Sequence, residues 1–215
     1  MPNAAPRTHR IRRVDARSSA ERIIAAGRSV LGAGEGSLEQ IATEAGVGIA
    51  TLYRHFPNRE AIVRAVLDDI LETDLLPLIN DAAASRHPRQ ALLGIATRLL
   101  DLITEERGLV TFAGNFADVA VDALRRLSDS LRPLLEHAQE QEEIRSDLTA
   151  DDIPRFLVMG IAGLALPGTA PDMRARFMAL LFDALNPAGA SPLPPAHADT
   201  EGDDLRTAIS SVVRD

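Results

Sequence analysis

One segment of the sequence constrains the fold more than any other: residues 37–57, where a glycine separates two short helical patterns. Ser37 followed by Gln40 three residues later predicts a capping box at the start of a helix. The apolar residues of that helix recur at helical spacing: Leu38, Ile41, Ala42 and Ala45. Gly46 ends it, because positive φ is inexpensive only for glycine, and Pro57 terminates the second helix. Two short helices joined so tightly are typical of a helix-turn-helix unit, whose second helix enters the DNA major groove.

The rest of the sequence predicts further helices, because apolar residues recur at helical spacing and no segment alternates like a strand. The expected helices are Ser18 to Leu31, Ile49 to His55, Asn58 to Leu76, 88–105, 109–120, 122–142, 151–166 and 171–186. Asn58 should cap the long fourth helix, which Pro77 should stop or kink. Pro133 should kink or split the helix at 122–142. The predicted fold class is all-α.

The charges are distributed unevenly along the chain. Residues 1–60 contain 9 arginines against 6 acidic residues, whereas residues 61–215 contain 14 arginines against 25 acidic residues. A basic front on an acidic body indicates that only the front meets a polyanion such as DNA. The chain has no cysteine, which excludes disulfides and thiolate sites. Its longest apolar run is too short to span a membrane, so we expect no membrane association and a cytoplasmic location.

Four regions are predicted from these patterns. They are a disordered basic arm at 1–17, a three-helix helix-turn-helix DNA-binding domain at 18–60, a helical body at 61–186, and a flexible proline-rich tail at 187–215. The closing stretch, Asp204 to Arg214, could form one short helix. The arginines of the arm are candidates for phosphate or minor-groove contact: Arg7, Arg10, Arg12 and Arg13.

The helix-turn-helix segment carries a family resemblance. Residues 45–60 read AGVGIATLYRHFPNRE, which resembles the signature of TetR-type transcriptional regulators, and the resemblance extends over about residues 20–67. Within that family, residues 138–148 look most like the SbtR-like branch. The resemblance implies a homodimer that binds a double-stranded DNA operator and encloses a small-molecule effector in its C-terminal domain. It thereby implies that the helical body at 61–186 is the ligand-binding and dimerisation domain.

The predicted DNA-binding residues are Ser37, Gly48, Ile49, Ala50, Thr51, Tyr53, Arg54, His55 and Arg59. Ile49 and Ala50 are apolar, so they could contact thymine methyl groups, which leaves Thr51, Tyr53 and Arg54 as the polar readers. Exposed amides at the helix start by Ser37 suit a phosphate. The resemblance implies contacts with DNA phosphates or bases for the positions matching Thr51, Tyr53 and His55. It implies a contact with the DNA backbone for the position matching Arg59.

Two other residues of this segment, Leu52 and Phe56, should point inward and pack. Gly48 departs from the family pattern, which commonly has a serine there to cap the third helix. Glycine is an acceptable but weaker N-cap.

The body is expected to supply the dimer interface and the effector pocket. Small and apolar residues of the last two long helices favour an interface formed by Phe156, Gly160, Gly163, Leu164, Phe177, Leu181 and Leu185. The alternative is that these residues only close the core of the monomer. The resemblance places the pocket on helices that carry Phe112, Phe116, Leu134, His137 and Met159.

An enzyme is disfavoured, because the five histidines have no metal-ligand spacing and no phosphate loop or nucleophile elbow occurs. We expect no metal and no cofactor. The sequence therefore predicts a TetR-type regulator, a repressor by family default, whose operator affinity falls when an effector binds. Two alternatives stay open: a ligand-binding helical dimer without DNA-binding activity, and a transcriptional activator of the same fold.

Overall fold

The computed structural model describes residues 7–32, 36–106, 109, 116–164, 169–194, 206–207 and 209–210 of the chain. Its helices are α1 (Arg7–Gly32), α2 (Leu38–Glu44), α3 (Ile49–His55), α4 (Arg59–Ile70), α5 (Leu76–Ala82), α6 (Pro88–Glu105), α7 (Phe116–Glu140), α8 (Asp152–Leu164) and α9 (Pro171–Asp183). A π-helical turn, Leu71–Leu75, joins α4 to α5. The described residues contain no strand, so the all-α prediction is confirmed. Among the helices in these ranges, none combines the length and apolarity that crossing a bilayer requires.

The chain divides into two compact units. The first comprises Met1–Leu67 with Glu106–Gly114, and the second comprises Asp68–Glu105 with Asn115–Asp215. The first unit extends past residue 60, because the apolar residues of α4 up to Val66 pack in it. The predicted helix at 109–120 lies partly outside the described residues.

The first unit has a small core built from one face of each of its helices. The fully buried side chains of these helices are Ile23 and Leu31 of α1, Ile41 of α2, Leu52 of α3, and Ile62, Val63 and Val66 of α4, and Leu109 is fully buried as well. Arg28 of α1 also donates to the Glu106 carboxylate at 2.9 Å, which ties α1 to the start of the second chain segment of this unit. α2 and α3 pack against each other and against α1.

α1 begins earlier than the sequence predicted. Its first residue is Arg7, so residues 7–17 are helical where a disordered arm was expected. Arginine and alanine are good helix formers, and each residue added to an existing helix gains a backbone hydrogen bond. The helix propensity of this stretch therefore outweighs the mutual repulsion of its arginines.

The two prolines have different consequences. Before Pro77 the chain makes the π-helical turn, in which the Leu76 N–H donates to the Leu71 carbonyl, and the chain then continues as α5. The wider turn accommodates a residue that lacks an N–H and would otherwise clash with the preceding turn. Pro133 neither ends nor splits α7, which is helical on both sides of it.

The described residues of the C-terminal segment contact the rest of the second unit, where the sequence predicted a flexible tail. The Asp147 carboxylate accepts hydrogen bonds from the Arg145 guanidinium at 2.6 and 2.8 Å and from the Leu193 N–H at 2.8 Å. Farther along, Ile209 is buried against Ala117 and Val121 of α7. Sequence composition could not reveal these contacts, because their partners lie far away in the chain.

Candidate nucleic-acid interface and effector cavity

The turn between α2 and α3 has the local structure that the sequence predicts. The Gln40 N–H donates to the Ser37 hydroxyl at 3.2 Å, and the Ser37 N–H donates to the Gln40 side chain at 2.8 Å, which completes the capping box. Gly46 has φ +62°. The Val47 N–H donates to the Ala42 carbonyl at 2.9 Å and closes the end of α2. The chain is thereby redirected into α3 within a few residues.

One buried residue anchors α3. The Leu52 side chain is fully buried, and its carbonyl accepts from the Phe56 N–H at 2.8 Å where the helix ends. Phe56 is only partly buried and lies 6.4 Å from the His55 ring, measured between ring centroids. The packing role expected of Leu52 is therefore confirmed, and Phe56 lies at the edge of the core.

The opposite side of α3 faces away from the unit. Ile49 is 39% exposed and Tyr53 is 46% exposed, and Gly48, Ala50 and Arg54 are exposed as well. Thr51 is partly buried, and its hydroxyl accepts a hydrogen bond from the Arg54 guanidinium at 3.1 Å. Gly48 provides no side-chain cap for this helix. The helix presents a surface that is apolar at its start and polar farther on.

A charged group from α2 stands beside two other predicted DNA-binding residues. Hydrogen bonds from its own backbone N–H and from the Ser37 hydroxyl, together with the nearby charge of Arg59, lower the pKa of the Glu39 carboxyl. Arg59 is exposed in the first turn of α4, which Asn58 caps by accepting from the Ala61 N–H at 2.8 Å. Ser37 and Arg59 therefore both face a carboxylate that stays ionised.

The comparisons with known proteins agree with this geometry. A family model described as bacterial regulatory proteins of the tetR family matches residues 23–66. A solved TetR transcriptional regulator from Streptomyces coelicolor is 30% identical to the chain, with a TM-score of 0.59 over 79% of this chain and 99% of that one. The chain belongs to the TetR family. No protein with a curated function is similar enough to count as a match.

Two more distant structures show the same fold at lower identity. RolR in complex with resorcinol is 19% identical, with a TM-score of 0.60 over 91% of this chain and 95% of RolR. FadR from Bacillus subtilis in complex with stearoyl-CoA is 17% identical, with a TM-score of 0.59 over 80% of this chain and 99% of FadR. These matches leave the SbtR-like branch a prediction.

The body of this TetR-family protein contains an apolar cavity of about 50 Å³. Its lining comes from α6, α7, α8, α9 and the loop after α7, and every lining residue is apolar: Leu92, Ile95, Ala96, Leu99, Leu127, Leu131, Leu135, Ile144, Leu148, Ile153, Phe156, Leu157, Phe182 and Leu185. A second cavity of about 10 Å³ shares Ala96, Leu99, Phe156 and Leu157 with the first. Within the described ranges, no group of three or more histidines and carboxylates could hold a metal ion.

The predicted pocket residues do not line this cavity where the structure describes them. Leu134 is buried elsewhere in the core, and the His137 ring nitrogen lies 3.3 Å from the Ser85 carbonyl oxygen. Met159 is 61% exposed, because Phe156, Leu157 and Gly160 occupy the inward face of α8. Phe112 lies outside the described residues, and of Phe116 only the helical backbone is described.

Three residues of the predicted dimer interface are buried within the monomer instead, and a fourth, Phe156, is partly buried. Leu164 and Leu185 are buried, Gly160 packs beneath Leu181, and the Phe156 ring meets the Phe182 ring edge to face at 5.9 Å. Leu181 itself is partly buried, and of Gly163 only the backbone is described. Phe177 is exposed on α9.

Phe177 has exposed neighbours on the same face of α9 that were not predicted from the sequence. Met173 and Leu180 are exposed too, at a spacing of four and three residues from Phe177. That spacing was visible in the sequence. The burial of the opposite face was not, and only the burial distinguishes an interface stripe from a core stripe.

Proposed function

We propose that this TetR-family protein is a homodimeric transcriptional repressor that binds duplex operator DNA through α3 and releases it when an effector binds. One observation carries the DNA-binding part of the proposal. Leu52 anchors α3 by full burial, while Ile49 and Tyr53 on the same short helix are left exposed next to Arg54. A helix anchored from beneath with its first residues exposed can enter the major groove.

Binding to the DNA upstream of the protein's own gene, measured across a salt series, tests this part. Wild-type protein should bind tightly and lose affinity as salt rises, because phosphate contacts release counterions. Tyr53→Ala should weaken DNA binding. Tyr53→Phe removes only the hydroxyl and therefore distinguishes its contribution to binding from that of the aromatic ring. Leu193→Ala, a similarly exposed position in the body, is the control and should bind as wild type does. Two results together would refute DNA binding by α3: wild type and Tyr53→Ala bind the upstream DNA equally weakly, and they also bind duplexes from a random selection equally weakly.

The dimer part of the proposal is supported by the apolar stripe of α9. Met173, Phe177 and Leu180 are large apolar side chains that stay about half exposed in the described monomer. A two-fold axis beside α9 would bury them in both subunits. Phe177→Glu with Leu180→Glu should give a monomer in analytical ultracentrifugation. Leu78→Glu, at an exposed position on α5, should leave the dimer intact. A dimer that survives the first pair would exclude this face.

The effector part is supported by the apolar cavity. Its lining contains no hydrogen-bonding side chain, which favours a hydrocarbon portion of a ligand. At about 50 Å³ it is smaller than the ~150 Å³ apolar cavity that holds benzene in an engineered protein. Entry of a larger group therefore requires the cavity wall to move, and the residues shared by both cavities include Phe156 and Leu157 of α8. Such a movement in α8 is the means by which a ligand would favour one conformation over another.

Straight-chain alcohols of increasing length serve as probes of this cavity. Hexanol, octanol and decanol should raise the melting temperature of the wild type and weaken its operator binding. Ala96→Val narrows both cavities and should abolish the rise while leaving operator affinity in the absence of alcohol unchanged. A rise of equal size in both proteins would show that the alcohols bind elsewhere.

A further inference from the structure

We infer that the start of α3 reads thymine methyl groups, so that each operator half-site carries thymine at the base pairs facing Ile49 and Ala50. The inference rests on the proposed DNA binding and specifies what this protein recognises. It concerns base identity, which neither the family nor the fold determines.

Three consecutive exposed residues at this end of α3 lack any hydrogen-bonding group in the side chain: Gly48, Ile49 and Ala50. The first residues of a recognition helix are those that meet base edges. Side chains of this kind can contact a base only through van der Waals and hydrophobic interactions. In the major groove, the one base-edge group that favours such contact is the C5 methyl of thymine.

The polar residues nearest to this end do not offer a competing readout. The guanidinium of Arg54, whose fork would suit a guanine, donates to the Thr51 hydroxyl at 3.1 Å. Both side chains lie on the helix after the apolar residues, so they would face other base pairs. Hydrogen-bond readout is therefore confined to the later part of α3.

The glycine at the helix start also favours this interpretation. Gly48 has φ −71°, which any residue adopts, and a Cβ added there would meet no atom within 4 Å. The fold thus does not require glycine at this position. Its missing side chain leaves open space beside Ile49, where a methyl group projecting from the groove could be received.

Selection of binding sites from random duplexes, followed by single thymine-to-uracil replacements, tests the inference. Uracil retains every hydrogen-bonding group of thymine and lacks only the methyl. Replacing a thymine that faces Ile49 or Ala50 should lower affinity by about fourfold, the value of one buried methyl. The protein should bind a duplex with 5-methylcytosine in place of this thymine more tightly than a duplex with cytosine there, because 5-methylcytosine retains the methyl group.

The variant arm uses two matched exposed residues. At one position of each half-site, the base pair that faces residue 49, Ile49→Ala should bind a duplex with thymine and a duplex with uracil equally well. Leu78→Ala, at 40% exposure against 39% for Ile49, should keep the full preference for thymine. Sequence-selective binding that is indifferent to uracil at every position would overturn the inference and leave DNA binding standing. If the selection enriches no sequence at all, both the thymine inference and the proposed DNA binding are overturned.

Discussion

Two glycines at the turn between α2 and α3 should respond to substitution with opposite signs. Gly46 has φ +62°, and a Cβ there would meet only the Arg22 guanidinium at an ordinary 3.6 Å. The cost of Gly46→Ala is therefore conformational, about 1–2 kcal/mol for a side chain in the left-handed region. Gly48 has an ordinary φ and open space around it. Gly48→Ser adds an oxygen that can accept from a first-turn N–H of α3, worth a few tenths of a kcal/mol over glycine.

Thermal and urea unfolding, followed by far-UV circular dichroism, measure both effects. For a chain of this size 1 kcal/mol corresponds to about 2–4 °C, so Gly46→Ala should melt clearly below the wild type. Gly48→Ser should shift the urea midpoint slightly upward. Gly48→Ala is the control: it has no oxygen to cap the helix and should bring no gain. The reasoning is wrong if substitutions at Gly46 and Gly48 destabilise the protein equally. It is also wrong if Gly48→Ala stabilises the protein as much as Gly48→Ser.

Three further predictions follow from contacts within each unit. Leu52→Ala removes a fully buried side chain and should lower the free energy of unfolding by about 3 kcal/mol in urea, with loss of DNA binding, whereas the exposed Tyr53→Ala should leave stability nearly unchanged. Glu39→Gln removes a negative charge beside Arg59 and should strengthen DNA binding about two- to fivefold at low salt; unchanged affinity would place Glu39 away from the DNA. The hydrogen bonds from Arg145 and from the Leu193 amide hold the pKa of Asp147 well below its usual range, so this contact is fully present above about pH 4 and is lost only as pH falls toward the lowered value. In the wild type, the Leu193 amide should accordingly stay protected from hydrogen exchange at pH 4. In Asp147→Asn, the same amide should lose its protection even at neutral pH. Equal exchange rates in the two proteins would refute the contact.

The features that the sequence predicted well depend on residues close together in the chain. Ser37 and Gln40 form their capping box, Asn58 caps α4, and Gly46 takes positive φ. Each of these signals acts within one helical turn, where backbone hydrogen bonding and steric restriction are set by the residues themselves. The family resemblance rests on the same short segment, which explains why it was readable without a structure.

The sequence was a weaker guide wherever one residue type allows two outcomes. Phe156 and Phe177 are both apolar residues on neighbouring helices, and each could belong to a core or to an interface. The structure packs the partly buried Phe156 ring against the buried Phe182 and leaves Phe177 exposed. Helical periodicity defines an apolar face, but the element that covers the face is decided by long-range packing.

The sequence by itself determined the all-helical class, the position of the helix-turn-helix and the identity of the exposed residues at the start of α3. Only the tertiary structure decided the lining of the cavity, the stripe on α9 and the attachment of the C-terminal segment to Asp147 and α7. The physical reason is the range of the interactions. Caps, turns and helical periods act between near neighbours, whereas a cavity or a docked tail exists only when residues from distant segments meet.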